Sequence, residues 1–173
     1  METSTISSKN VTEMLTVANE YCHFLEKAHQ YQVPEVLSYL QKIFPLLYLK
    51  GALLPNVQVQ MPEANERFVT AENYEILLNE LRNKFKPNDE FWTIDHSETT
   101  DIEPIKANLA ELLTDIYQDL KDFVLLYGKG TTAAQENAVH DCKLFFETHW
   151  GYRLVTAQKY IHYFINDEKK ADL

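Results

Sequence analysis

Within ANEYCHFLE, residues 18–26, Glu20 and His23 stand three positions apart. On a helix that spacing puts a carboxylate and an imidazole one turn apart on the same side, which is how helix bundles present ligands to carboxylate-bridged metal ions. Projection at about 100° per residue places Val11, Met14, Leu15, Ala18, Tyr21, Cys22 and Leu25 on one apolar face. Glu20 and His23 fall outside it, beside Thr12, Glu13, Thr16 and Asn19. The pair is therefore expected on the solvated side, and no metal or other cofactor is expected. Glu136 and His140 are read the same way. His29 and His149 each project near the middle of an apolar face, seven residues after Cys22 and Cys142 respectively. Seven residues span about 10 Å of helix, too far for a cysteine and a histidine to share one ion.

Two other groups could do chemistry. In the segment 105–123, Ile105, Leu109, Leu112, Leu113, Ile116, Leu120 and Phe123 form a core stripe, and Glu111, Asp115, Asp119 and Asp122 form an acidic ridge beside it. Carboxylates three and four residues apart repel one another unless they meet bases, a cation or water. Asp115, Asp119 and Asp122 are thus the candidate cation or partner site, and otherwise a solvated face. Lys50 stands in FPLLYLKGALLP among apolar neighbours. Its stem can lie along that surface with the ammonium in water, or it can pair internally, with Asp115 or Asp119 as candidate partners.

Charge narrows the partners. Twenty-six acidic against sixteen basic residues give a net charge of −10, which repels phosphate backbones and anionic lipid and forgoes the counterion release behind nonspecific nucleic-acid binding. Neither nucleic acid nor membrane is an expected partner. Two cysteines form no disulfide framework and no Cys-x-x-Cys pair, which suits a reducing cytoplasm. The first ten residues lack the apolar segment of a targeting peptide. The most apolar run, 43–54, has Pro45, Lys50 and Gly51 within it and is far shorter than the roughly twenty residues of a membrane helix.

The positioning elements follow from periodicity. Four glycines and repeated three- and four-residue apolar spacing predict an all-α protein: one domain over 1–173, an up-and-down bundle of about six helices, with 1–9 and 167–173 as frayed tails. The first helix is predicted from Asn10, capped with Glu13, to about Tyr31. The second runs from Pro34 toward Lys50 with a kink or break near Phe44 caused by Pro45, and Gly51 closes it. After an irregular stretch 56–69, Thr70 caps a third helix to Phe85. Residues 86–104 form a long acidic connection, with Phe91, Trp92 and Ile94 as docking anchors. The fourth helix is predicted from 101–104 to Tyr127 before Gly128 and Gly130. Thr132 with Gln135 caps a fifth through Trp150, and a sixth follows Gly151, carrying Leu154, Ile161 and Ile165 to about Asn166.

PLLYLKGALLP (45–55) and DIYQDLKDF (115–123), with ANEYCHFLE near the start, resemble a bacterial domain-of-unknown-function family of small acidic helical proteins. The resemblance covers about Val11 to Phe164. It implies a helical fold and a bacterial cytoplasmic setting, and brings no activity or catalytic residue. No Gly-rich phosphate loop or activated cysteine is legible. The expected function is a noncatalytic interaction module that binds a protein partner or another copy of itself through exposed aromatics and the acidic ridge. The alternative is a metal-assisted hydrolase or small-ligand enzyme using Asp115, Asp119 and Asp122 with Lys50 or a histidine.

Overall fold

The structure, a computed structural model, describes residues 5–96, 100 and 102–167. It is all-α with one small hairpin. Helix α1 spans Lys9–Glu26 and starts after Ser8, two residues ahead of the predicted cap. Residues 5–9 are not a frayed tail. A 3-10 turn at Thr5–Ser7 buries Ile6, and the Tyr127 hydroxyl donates to the Ile6 carbonyl at 2.9 Å. The predicted tails at 1–4 and 168–173 lie outside the described residues. At its other end α1 stops at Glu26, and a separate 3-10 turn, Ala28–Gln30, swings His29 into solvent rather than onto the apolar face.

Helix α2, Val33–Ala52, opens with a capping box between Gln32 and Glu35 and carries Pro34 in its first turn. It runs unbroken through Pro45, contrary to the break expected near Phe44. Pro45 is exposed while Phe44 and Leu47 beside it are buried. The lost backbone bond therefore falls on the wet side, and tertiary packing of the other face holds the helix together. Gly51 lies inside α2 rather than closing it. A Cβ there would come within 2.5 Å of the Trp150 ring and 2.6 Å of Phe146, so the residue is small because another element approaches closely.

Helix α3, Ala71–Phe85, begins as predicted: the Thr70 hydroxyl accepts from the Asn73 amide at 3.1 Å. The connection that follows contains strand structure. Strands β1, Glu90–Ile94, and β2, Pro104–Asn108, pair antiparallel with Trp92 opposite Lys106. Alternation sends Phe91 inward, stacked on Tyr160 with ring centroids 4.0 Å apart, and Trp92 and Ile94 outward. Only Phe91 of the three expected anchors docks. Helix α4 consequently starts at Leu109, after β2, and ends at Tyr127. Of its predicted start, Asp101 lies outside the described residues. Asp89 caps α4 from before the hairpin. Its carboxylate accepts from the Ala110 amide at 2.7 Å and its carbonyl from the Leu109 amide at 2.9 Å.

Helix α5, Thr132–Phe145, is capped one residue earlier than predicted, by Thr131 accepting from the Ala134 amide. It passes through one π-helical turn, Phe146–Trp150, directly into α6, Gly151–Asn166. Gly151 continues the helical path, and a Cβ there would overlap the Phe146 carbonyl oxygen, so the position admits only glycine without a shift. Helix α4 is the axis of the molecule: it packs against α1, α3, α5 and α6, while α2 packs against α1 and α6. One core cluster joins Met14, Tyr21, Leu40, Phe44, Leu113, Leu120, Trp150 and Leu154.

Candidate functional site

The central place of α4 decides the fate of the acidic ridge. Glu111 remains exposed, but Asp119 and Asp122 are only 6% and 4% accessible. Ridge residues buried this way must find partners, and each does. Asp115 accepts from Arg153 Nε at 2.7 Å and from the Tyr74 hydroxyl at 2.6 Å. Burial and that hydrogen bond push the Tyr74 phenol well up. Asp119 Oδ2 lies 2.5 Å from His149 Nδ1, and its other oxygen lies 4.0 Å from Arg67. Asp122 accepts from Arg67 Nη1 at 3.0 Å and, through one oxygen, from the Phe68 and Val69 amides at 2.8 and 2.9 Å.

The solvated ridge of the sequence reading is thus an internal network of three carboxylates, two guanidinium groups and one imidazole. The bases arrive from distant elements: Arg67 from the segment before α3, His149 from the π-turn, Arg153 from the first turn of α6. Arg67 also lies over the Phe145 ring, 4.7 Å from its centroid, and helps enclose a pit of about 10 Å³ beside Asp119 and Asp122. That is about the space of one water. Among the described residues, no group of three or more histidine, cysteine, aspartate or glutamate side chains could hold a metal ion.

Lys50 is not part of this network. Its ammonium donates to Glu13 on α1 at 2.6 Å, not to Asp115 or Asp119. That hydrogen bond holds the Glu13 carboxyl below its ordinary value. Glu20 and His23 are both exposed, as projected. Glu26 and His29 repeat their spacing, but Glu26 is engaged by the Tyr117 hydroxyl at 2.8 Å and by Lys121 at 2.6 Å. Glu136 and His140 are less idle than their outward projection suggests. Glu136 accepts from the Gln60 amide at 3.1 Å, and His140 Nδ1 lies 3.3 Å from the Val57 carbonyl. With Asn137 and Lys143, which donate to the Met61 and Leu54 carbonyls, they lash the 54–61 segment to α5.

Sequence reasoning did not distinguish Asp119–His149 as a pair. His149 sits in the π-turn, an irregularity that often re-aims a side chain, and a carboxylate holding one ring nitrogen fixes the orientation of an imidazole. The nearest thiol offers no nucleophile, since burial pushes Cys142 far above its ordinary value. The exposed surface also carries large apolar side chains. On the hairpin's outer face Trp92 is 66% exposed, with Ile94 on the same face, and Ile102, just before β2, is 61% exposed. Tyr152 and Val155 add exposed apolar surface on α6, and the Tyr152 hydroxyl reaches the Ile94 carbonyl at 3.5 Å. Lys106 stands over Trp92, 5.6 Å from its ring.

The fold recurs in a solved protein. The crystal structure of protein BF1032 from Bacteroides fragilis superposes with a TM-score of 0.85 at 34% sequence identity, covering 98% of this chain and 100% of that one. A comparison with the curated proteins finds no match. Residues 5–167 match the profile of a domain of unknown function, DUF5063. With nearly the whole described bundle inside that match, from the buried Ile6 turn to the end of α6, the chain belongs to the DUF5063 family.

Proposed function

We propose that the protein is a noncatalytic helical interaction module whose contact surface is the outer face of the hairpin with the adjoining exposed side of α6. The observation that carries this reading is Trp92. A large aromatic left two-thirds exposed on a strand has not been used by the core, and tryptophan is the residue type most enriched among the anchors of protein interfaces. Ile94, Ile102 and Tyr152 extend the apolar area around it. Of the acidic ridge, expected to share this role, Asp115, Asp119 and Asp122 are engaged in internal ion pairs.

The test is quantitative affinity capture from the native cell with wild-type and Trp92→Ala baits, alongside molar mass in solution. A protein, or a second copy of the chain, retained by wild type and lost by a variant of unchanged melting temperature supports the module. Identical recovery and identical mass would remove the hairpin face from consideration.

The Asp119–His149 pair favours a second reading, a small-ligand enzyme in which an oriented imidazole moves a proton. Its metal-assisted form requires Asp115, Asp119 and Asp122 to exchange protein partners for an ion. Elemental analysis of tag-free protein purified without chelator tests that form. Stoichiometric divalent metal lost on Asp119→Asn would favour it, and metal-free protein after soaking would exclude it.

A further inference from the structure

We propose that the cavity between the start of α2, the end of α3 and the last turns of α6 binds an amphipathic small-molecule anion, a carboxylate carrying an extended apolar body. The cavity encloses about 680 Å³, within the roughly 300–1,000 Å³ typical of small-ligand sites. It lies away from the hairpin's outer face and is independent of the interaction surface proposed above. Buried Leu37, Phe85 and Leu109 line it together with Phe164.

The head-group chemistry comes from Lys84 and Lys86 at one rim. Of the eleven described lysines, Lys9, Lys50, Lys106, Lys121 and Lys129 pair with glutamate, and Lys84 and Lys86 are among the six that do not. Lys84 donates to the Tyr31 carbonyl at 2.7 Å and Lys86 to the Asn83 side-chain oxygen at 3.3 Å, and neither ammonium meets a carboxylate among the described residues. Each keeps two further N–H donors. Two cations without counter-charge on the edge of an apolar hollow complement a ligand with a buried tail and a negative head. A neutral apolar ligand would leave both charges unanswered, and a polyanion would meet no further base on the lining.

Decanoate is the probe, with decanamide as the neutral control of equal length, each titrated calorimetrically into the full chain. Saturable one-to-one binding of decanoate is expected, with decanamide about tenfold weaker or worse, since a charge-assisted hydrogen bond contributes at least that factor. Lys86→Ala, at an exposed position, and the Lys84→Ala/Lys86→Ala pair should each weaken decanoate while leaving decanamide unchanged. Ser38→Trp, which projects bulk into the cavity from the α2 wall, should abolish binding of both. Gln41→Trp replaces it should that variant not fold.

Absence of saturable decanoate binding up to roughly millimolar concentration, or equal affinity for decanamide, would overturn the proposal. So would decanoate binding that survives the tryptophan variant at wild-type melting temperature. A tryptophan variant that changes the molar mass in solution would instead assign the cavity to a second copy of the chain and equally overturn it.

Discussion

Asp122→Ala should destabilise the protein severely for a surface-looking residue, and the size follows from its contacts. One carboxylate oxygen accepts two backbone amides, Phe68 and Val69, at 2.8 and 2.9 Å, and the other accepts Arg67 at 3.0 Å. A hydrogen bond to a charged acceptor contributes roughly 1.5 kcal/mol net, so the two amide bonds together are worth about 3 kcal/mol. Arg67 is half exposed and returns to water when its partner goes, adding little. A loss of about 3 kcal/mol in a chain of 173 residues corresponds to a melting temperature lower by about 6–12 °C. Asp122→Asn keeps an acceptor oxygen for both amides and should lose about 1 kcal/mol. Urea unfolding at neutral pH, with the exposed Glu111→Ala as a control expected within about 0.5 kcal/mol of wild type, measures all three. The reasoning fails if Asp122→Ala costs no more than the control. It also fails if asparagine and alanine cost the same, because the amide hydrogen bonds would then not be the cause.

Gly51→Ala carries a sign opposite to helix propensity. In an open helix interior the change gains about 1 kcal/mol, whereas here the new methyl meets Trp150 at 2.5 Å and Phe146 at 2.6 Å, so a loss of about 1–3 kcal/mol is expected in thermal unfolding; a stabilised variant would show that α2 and the π-turn do not approach so closely. Lys50→Met should raise the Glu13 carboxyl toward its ordinary value of 4.5 in an NMR titration, because the lost hydrogen bond is the main cause of its depression. Since that value is lowered in the folded chain, the pair's contribution is present above about pH 4.5 and lost as pH falls below it; an unchanged titration would rule out the pairing. Burial pushes both thiols up, Cys22 and Cys142, so the native protein should resist thiol reagents at pH 8 and react only on unfolding. Stability should also decline as pH rises past about 9, where the unfolded chain's thiols ionise and the folded chain's do not; rapid labelling of native protein would contradict this.

Local chemistry was legible in the sequence. Thr70 caps α3 three residues before the amide it accepts, Gly128 and Gly130 follow the last turn of α4, and the apolar periodicities of α1 and α4 select residues that are buried or half-buried, except Ile105, which falls in β2 and is exposed. The alternation of Phe91, Trp92 and Ile94 was also present in the sequence, yet β1 could not be inferred without its partner strand ten residues further on. A helical projection assigns one wet side to each helix, which held for Glu20 and His23 on α1 and failed for α4, a helix enclosed by four others.

The sequence by itself determined an acidic, mostly helical chain with a buried stripe on each helix, because periodicity and capping act over a few residues. It also placed the three aspartates on one side of α4. Only the tertiary structure decided what they meet. Arg153 reaches Asp115 from 38 residues away, Arg67 reaches Asp122 from 55, and Glu13 takes Lys50 across 37. Opposite charges attract whatever their distance along the chain, and which base meets which acid depends on the elements that bring them together. The same holds for the cavity lined by Lys84 and Lys86, whose walls come from four separated stretches of the chain and whose empty volume no single helix encodes.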